Sequence, residues 1–252
     1  MFEVIVVSLT QGITEFLPVS SSAHLIIFSD LLNFTKSSLL FDISLHIGSF
    51  LAVIIYFKKE IINFINYRKI FILILIASFP TMIVGYFLIK YNVIDNLRTL
   101  RIIGWTTIIF GIILYISDKF KAEKKIENNF NLRSSLFLGI MQTISLIPGV
   151  SRSGITISAS RLLGYDRVNS AKISFLLSLP TLFAVSIYGL KTLYEDNKLQ
   201  LNDFNLIGLI LSFIFSYLTI ILLIKFLKNF NFLLFVIYRI ILGVSLIIYT
   251  YL

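Results

Sequence analysis

An all-α polytopic membrane protein, with six transmembrane helices and two re-entrant helical hairpins in an inverted repeat, is the fold this sequence predicts. Three observations carry that reading. Of 252 residues, 57% are apolar and 14% charged, and the mean hydropathy of +0.92 is far above that of a soluble domain. Six apolar runs each approach the roughly 20 residues a spanning helix needs. Two further apolar stretches are broken halfway by polar clusters, and the order of features recurs in both halves of the chain. Such a chain needs lipid as its solvent and leaves no room for a separate soluble domain.

Taken in order, the opening MFEVIVVSLT has no basic region ahead of its apolar stretch and no small-residue cleavage site, so it does not read as a signal peptide. Residues 2–28 form the first interrupted stretch, broken by LPVSSSAH at 17–24. Apolar spans follow at about 38–57, 70–89 and 101–117. After a basic loop at 118–133, the second interrupted stretch, 134–163, is broken by IPGVSRSG at 147–154. Spans at 170–190, 204–224 and 231–252 complete the chain. Backbone that leaves helical geometry at membrane depth is tolerated only where protein buries it or it lines a wet cavity, so both broken stretches read as re-entrant hairpins. Pro80 and Pro180 interrupt spans, where kinks that serve packing are expected.

The halves 1–117 and 134–252 echo each other. Pro18-x-Ser20-Ser21-Ser22 parallels Pro148-x-x-Ser151-Arg152-Ser153 with one inserted residue, Ala52-Val53-x-Ile55-Tyr56 parallels Ala184-Val185-x-Ile187-Tyr188, and Arg101-Ile102-Ile103 parallels Arg239-Ile240-Ile241. A hairpin plus three crossings per half makes the repeats inverted in the membrane. Loop charge gives the orientation. Fourteen Lys and Arg in loops 58–69, 118–133, 161–172 and 225–228 share one side, against six (Lys36, Lys90, Arg98, Arg101, Lys191, Lys198) on the other. Both termini are then expected outside the cytoplasm, with the two polar tips meeting near mid-membrane. The net charge of +9 is therefore read as topology and not as a nucleic-acid surface.

With no cysteine, thiol nucleophiles and thiolate metal sites are excluded. An ionisable residue within lipid is a functional candidate by default, and four stand out: Glu15, His24, Arg152 and Arg239. An interhelical ion pair is the bland reading of Arg239. Ser151-Arg152-Ser153-Gly154 after Pro148-Gly149 offers a guanidinium fork, two hydroxyls and backbone N–H groups at a helix start near Gly154-Ile155-Thr156, an anion-binding combination. Gln11 and Glu15, four residues apart, share a helical face and could hold a divalent cation through oxygen. Either Ser21 or His24 could attack phosphorus, and His24 could equally act as general base. One or more of Ser20, Ser21 and Ser22 is expected to cap a helix. Asp42 and His46, one turn apart, read as an interfacial pair in preference to a second metal or proton site.

The strings Gln11-Gly-Ile-Thr-Glu15-Phe-Leu-Pro18-Val-Ser20-Ser21-Ser22-Ala-His24 and Pro148-Gly-Val-Ser151-Arg152-Ser153-Gly154-Ile-Thr156 resemble the two signature motifs of the bacterial undecaprenyl-diphosphate phosphatase (bacitracin-resistance) family. The resemblance extends through Gly48-Ser49-x-Leu51-Ala52-Val53 and Tyr238-Arg239 over essentially the whole chain. It implies a multi-pass enzyme of the bacterial cytoplasmic (inner) membrane that releases the terminal phosphate of undecaprenyl diphosphate. That reaction, assisted by Mg²⁺ or Ca²⁺, recycles the carrier lipid for cell-wall synthesis; the loop-charge orientation and the repeat predict a site opening to the extracytoplasmic side. The resemblance further implies Glu15 at the metal or a proton transfer, Ser21 and His24 at the reacting phosphorus, and Arg152 with Ser151, Ser153 and Thr156 on the diphosphate, with Ser20, Ser22 and Gly154 beside them. Where the family's first motif often begins with Glu, this chain has Gln11, whose neutral amide oxygen would ligate a cation more weakly. A homodimer stays open as the assembly.

The rival from another class is a transporter or flippase for a polyprenyl-phosphate lipid, because inverted repeats with broken segments at the midplane are also the frame of secondary carriers. A carrier needs Arg152 as an anion clamp, but not Glu15 and His24 beside a hydroxyl cluster. A structural subunit leaves the buried charges unexplained. The separated Lys, Arg, Ser-Gly-His and Arg-His pattern of phosphatidic-acid phosphatases is missing, as is a Gly-rich nucleotide loop.

Overall fold

The computed structural model describes residues 1–31, 39–195 and 202–252. Lys36 and Lys198 of the charge argument, and residue 38 of the first expected span, lie outside the described residues. The helices are α1 (Phe2–Thr14), α2 (Ser21–Leu31), α3 (Leu39–Tyr56), α4 (Lys58–Ile62), α5 (Phe64–Lys90), α6 (Val93–Leu97), α7 (Leu100–Asp118), α8 (Ile126–Asn129), α9 (Leu132–Thr143), α10 (Arg152–Leu162), α11 (Arg167–Glu195), α12 (Asp203–Leu227) and α13 (Leu233–Tyr251). Among the described residues there is no strand, and six helices are long and apolar enough to cross a membrane: α3, α5, α7, α11, α12 and α13. They coincide with the six expected spans. Pro80 and Pro180 sit inside α5 and α11, which continue through them.

Local chemistry fixes several helix starts. Thr99, Asn131 and Asn202 accept hydrogen bonds from the backbone N–H three residues on, capping α7, α9 and α12. The arms of the interrupted stretches are short. At 13 and 11 residues, α1 and α2 rise roughly 20 Å and 17 Å, less than a hydrocarbon core of about 30 Å. α9 and α10 are as short, and each pair of arms packs back on itself.

Packing between the halves is exchanged. α1 lies on α12 and α9 lies on α5, while α3 packs against α11 and α12, α5 against α11, and α7 against α13. Exchanging the helices of one half for their counterparts in the other returns the same list of neighbours. The α7–α13 contact is close because Gly104 and Gly243 face each other's backbone: a Cβ on Gly243 would come within 2.7 Å of Gly104 O. With lipid as apolar as the helices, such close approach and buried hydroxyls hold the bundle. Ser49 Oγ bonds Ser212 Oγ and Ser216 Oγ at 3.2 and 2.9 Å between α3 and α12.

The basic loops converge at one end. Asp118 pairs with Arg161 Nε at 3.2 Å and Arg167 Nε at 2.8 Å, and its Oδ2 accepts the Phe232 N–H. Arg161 also donates to the carbonyls of Tyr165, Asp118 and Phe120. A recess of about 30 Å³ at the same end, bordered by Phe57, Glu60, Tyr67, Ile126 and Lys172, brings in the 58–69 loop.

Candidate active site

Each short hairpin turns at a serine forced into left-handed backbone. Ser20 has φ +78° and Ser151 has φ +71°, a conformation that strains a side chain with a Cβ and persists only where the surroundings dictate it. Both serines then cap the helix that follows: Ser20 Oγ accepts from Ala23 N at 3.3 Å and Ser151 Oγ from Gly154 N at 3.1 Å. In both, the hydroxyl also meets the one two residues on, Ser22 at 3.3 Å and Ser153 at 3.1 Å.

The surroundings that dictate this geometry centre on Arg239. Its guanidinium, fully buried in α13, donates to Thr107 O at 3.1 Å, Pro18 O at 3.1 Å, Gly149 O at 2.9 Å and Val150 O at 3.0 Å. Carbonyls that left the helical ladder at both breaks are thereby satisfied by one cation. Ser153 Oγ ties the breaks again by donating to Leu17 O at 2.7 Å, and Thr106 Oγ1 donates to Pro148 O at 2.7 Å. Gly149, at φ +88°, lies where a Cβ would collide with α7.

Between the breaks is a cleft of about 70 Å³, lined by Thr14, Glu15, Ser20, Ser21, Ser22, Ser145, Ser151, Arg152 and Ser153. Glu15, buried just past the end of α1, is its hub. Oε1 accepts from Arg152 Nη2 at 2.8 Å, and Oε2 accepts from Ser21 Oγ at 2.7 Å and Gln11 Nε2 at 3.0 Å. Arg152 Nη1 reaches Ser174 O at 3.3 Å. A hydroxyl aimed at a carboxylate, an anion-binding guanidinium and a ring of further hydroxyls are thus assembled from helices that are distant in sequence. Chemically, this arrangement can deprotonate the Ser21 oxygen while binding a phosphate beside it.

The other expected residues lie around this hub. Gly154 faces Arg239, and a Cβ there would come within 2.8 Å of Nη1. Thr156 is fully buried away from the cleft, its hydroxyl donating to Arg152 O at 2.7 Å and lying 2.8 Å from Ser174 Oγ. His24 is not on the cleft lining: its Nδ1 donates to Ser20 O at 2.6 Å, and its Nε2 meets the Tyr238 hydroxyl, with the two rings stacked. Among the described residues, no three His, Asp or Glu side chains converge as a metal site. Gln11 and Glu15 meet as donor and acceptor, so they do not present two oxygens to a cation.

Three participants escape a reading of motifs. Ser145 lines the cleft and precedes Pro148 by three positions, as Glu15 precedes Pro18, so the repeat offset marks it. Tyr238 adjoins Arg239 in sequence but gives no signal of its pairing with His24. His46, expected in an interfacial pair, reaches Gln11 Nε2 through its Nδ1 at 3.1 Å, a contact of 35 residues' separation.

Comparison with known proteins bears on the chain as a whole. The family described as "Bacitracin resistance protein BacA" matches residues 4–245. An "Undecaprenyl-diphosphatase" of Pelagibacter ubique (strain HTCC1062) is 45% identical over 252 residues, covering 100% of this chain and 98% of that protein. Proteins with the same description from Jannaschia sp. (strain CCS1) and Alcanivorax borkumensis are each 37% identical, covering 100% and 98% of this chain and 99% and 97% of their own lengths.

Proposed function

The chain belongs to the BacA family of bacitracin resistance proteins, and from that premise we propose how its cleft works. The protein is a multi-pass membrane phosphatase that hydrolyses undecaprenyl diphosphate to undecaprenyl phosphate and phosphate. The observation that carries the mechanism is the 2.7 Å hydrogen bond from Ser21 Oγ to Glu15 Oε2, with Arg152 on the other carboxylate oxygen.

In this mechanism the diphosphate enters between the breaks and Arg152 turns its fork to the terminal phosphoryl oxygens. Ser21 Oγ gives its proton to Glu15 and attacks the terminal phosphorus. The bond from that phosphorus to the bridging oxygen breaks, and undecaprenyl phosphate departs with the proton. Glu15 then takes a proton from water as its oxygen attacks the phosphoserine, and Ser21 recovers that proton as phosphate leaves. Arg152 and the hydroxyls of Ser151 and Ser22 hold the charge spread over the equatorial oxygens. His24, bonded to Ser20 O and Tyr238, orients the start of α2; its use as the nucleophile is the competing assignment.

We further propose the bacterial cytoplasmic membrane as the location, with the basic end around Asp118 in the cytoplasm and the cleft opening outside. There the reaction recycles the carrier lipid and confers bacitracin resistance. The exposed apolar faces of α5 and α12 would be covered by lipid or by a second copy in a homodimer. Carriage of the polyprenyl-phosphate lipid is a second reading, favoured by the exchanged packing of the halves.

Phosphate release from farnesyl or undecaprenyl diphosphate by the purified chain tests the proposal, with and without EDTA. We expect Ser21→Ala and Arg152→Ala to abolish release, and His24→Ala still to form a phosphoserine at Ser21, which a His24 nucleophile would not allow. A folded wild type that binds the lipid and releases no phosphate would leave carriage as the function.

A further inference from the structure

We infer that Gln11 is held as a hydrogen-bond donor between Glu15 and His46 and is no cation ligand, so the substrate-free site carries no divalent cation and one enters only on the diphosphate. The inference rests on the phosphatase reading of the same cleft. Gln11 is fully buried, and its two amide hydrogens have two acceptors: Glu15 Oε2 at 3.0 Å and His46 Nδ1 at 3.1 Å. The amide orientation is fixed by that carboxylate. Flipping it would set Gln11 Oε1 against Glu15 Oε2, acceptor on acceptor, and would leave the amide hydrogens without either partner. His46 Nδ1 accepts in the tautomer that carries its proton on Nε2, so His46 acts as a positioning residue for Gln11.

The oxygen that could ligate is turned elsewhere. Gln11 Oε1 is buried without a partner, and Gln11 is absent from the cleft lining. On Glu15, one oxygen is occupied by a guanidinium and the other by a hydroxyl and an amide. A hard cation needs six or more oxygen ligands and would stand beside the fixed positive charge of Arg152. The serines of the cleft are neutral. A diphosphate supplies several anionic oxygens at once, and Mg²⁺ is commonly held by substrate phosphates with few protein carboxylates. The cation is therefore part of what binds.

Mn²⁺ binding to the full chain in detergent, read from the loss of the free-ion electron paramagnetic resonance signal, tests this without turnover. We expect no saturable binding up to about 1 mM Mn²⁺ alone, and one ion per chain once farnesyl methylenediphosphonate, a non-hydrolysable diphosphate, is added. Gln11→Glu combined with His46→Gln creates a second carboxylate with an amide beside it, and should bind Mn²⁺ unaided at least roughly tenfold more tightly than wild type. One Mn²⁺ per wild-type chain without diphosphonate, lost in Gln11→Ala, would overturn the inference. So would a folded double variant that gains no binding. If that variant does not fold, the wild-type titration alone decides. Phosphate release measured on the same preparation judges the phosphatase reading separately.

Discussion

The two breaks, Leu17 to Ser22 and Ile147 to Ser153, share a backbone and differ in what they carry. Each has a proline, a serine at positive φ, a hydroxyl cap and a second hydroxyl two residues on. The first brings the carboxylate, Glu15, and the hydroxyl that leans on it; the second brings the cation, Arg152, and puts Ser145 where the first has Glu15. A geometry used twice thus yields a site of two complementary charges. A duplicated carboxylate would have repelled itself, and a duplicated guanidinium would have lacked a proton acceptor.

Separating the two contributions gives the largest expected effect. Glu15→Gln keeps the shape but removes the acceptor that activates Ser21, and Arg152→Ala removes the anion clamp. Loss of one preorganised charge at a reacting centre costs on the order of 10²–10³ in rate, and we expect each variant to fall at least that far in kcat for phosphate release. The double variant should lose little more, because the two act as one unit. Additive losses would show that the charges work at separate steps.

Arg239 tests the frame that both breaks share. Its sequence counterpart Arg101 is exposed and rests on Tyr251, whereas Arg239 satisfies four carbonyls in the protein interior. Arg239→Met should leave those acceptors unpaired and destabilise the protein by about 3 kcal/mol or more, seen as a lower Tm in detergent together with lost activity. Arg101→Met should shift Tm by a small fraction of that. Equal shifts would mean that Arg239 is an ordinary interhelical contact.

The contrast between these arginines shows what sequence carries and what it does not. All six spans, the two broken stretches and the Glu15, Ser21 and Arg152 cluster are legible, because hydropathy and buried charge are local signals. Burial of one arginine and exposure of its repeat partner is not, since both lie in similar apolar strings and only packing decides. Thr156 reads as a ligand by its motif yet bonds to Ser174, a residue on another helix. His24 sits in the cluster by sequence, but the direction of a ring at the start of α2 depends on Tyr238, more than 200 residues away.

Caps give a symmetrical and smaller effect. Ser20→Ala and Ser151→Ala each lose the bond to the third residue's N–H while keeping the strained backbone, which should cost about 1 kcal/mol apiece. Thermal unfolding in detergent should show two similar drops. A much larger drop at Ser151 would mean that the break buried against α7 carries the fold alone.

The smallest effect belongs to Ser145, the residue standing where Glu15 stands in the other half. It lines the cleft but has no ionisable group, so Ser145→Ala should remove at most one hydrogen bond to the diphosphate. A neutral bond is worth about 0.5–1.5 kcal/mol, which corresponds to a roughly 2- to 13-fold rise in KM with kcat nearly unchanged. Ser145→Asp is the sharper probe. It would restore to the second break the charge that the first possesses and place a carboxylate near the bound anion, so the lipid should bind far more weakly while the fold is retained. If Ser145→Asp instead kept full activity, the division of labour between the breaks would lie in Arg152 alone, and the position equivalent to Glu15 would be free of electrostatic demand.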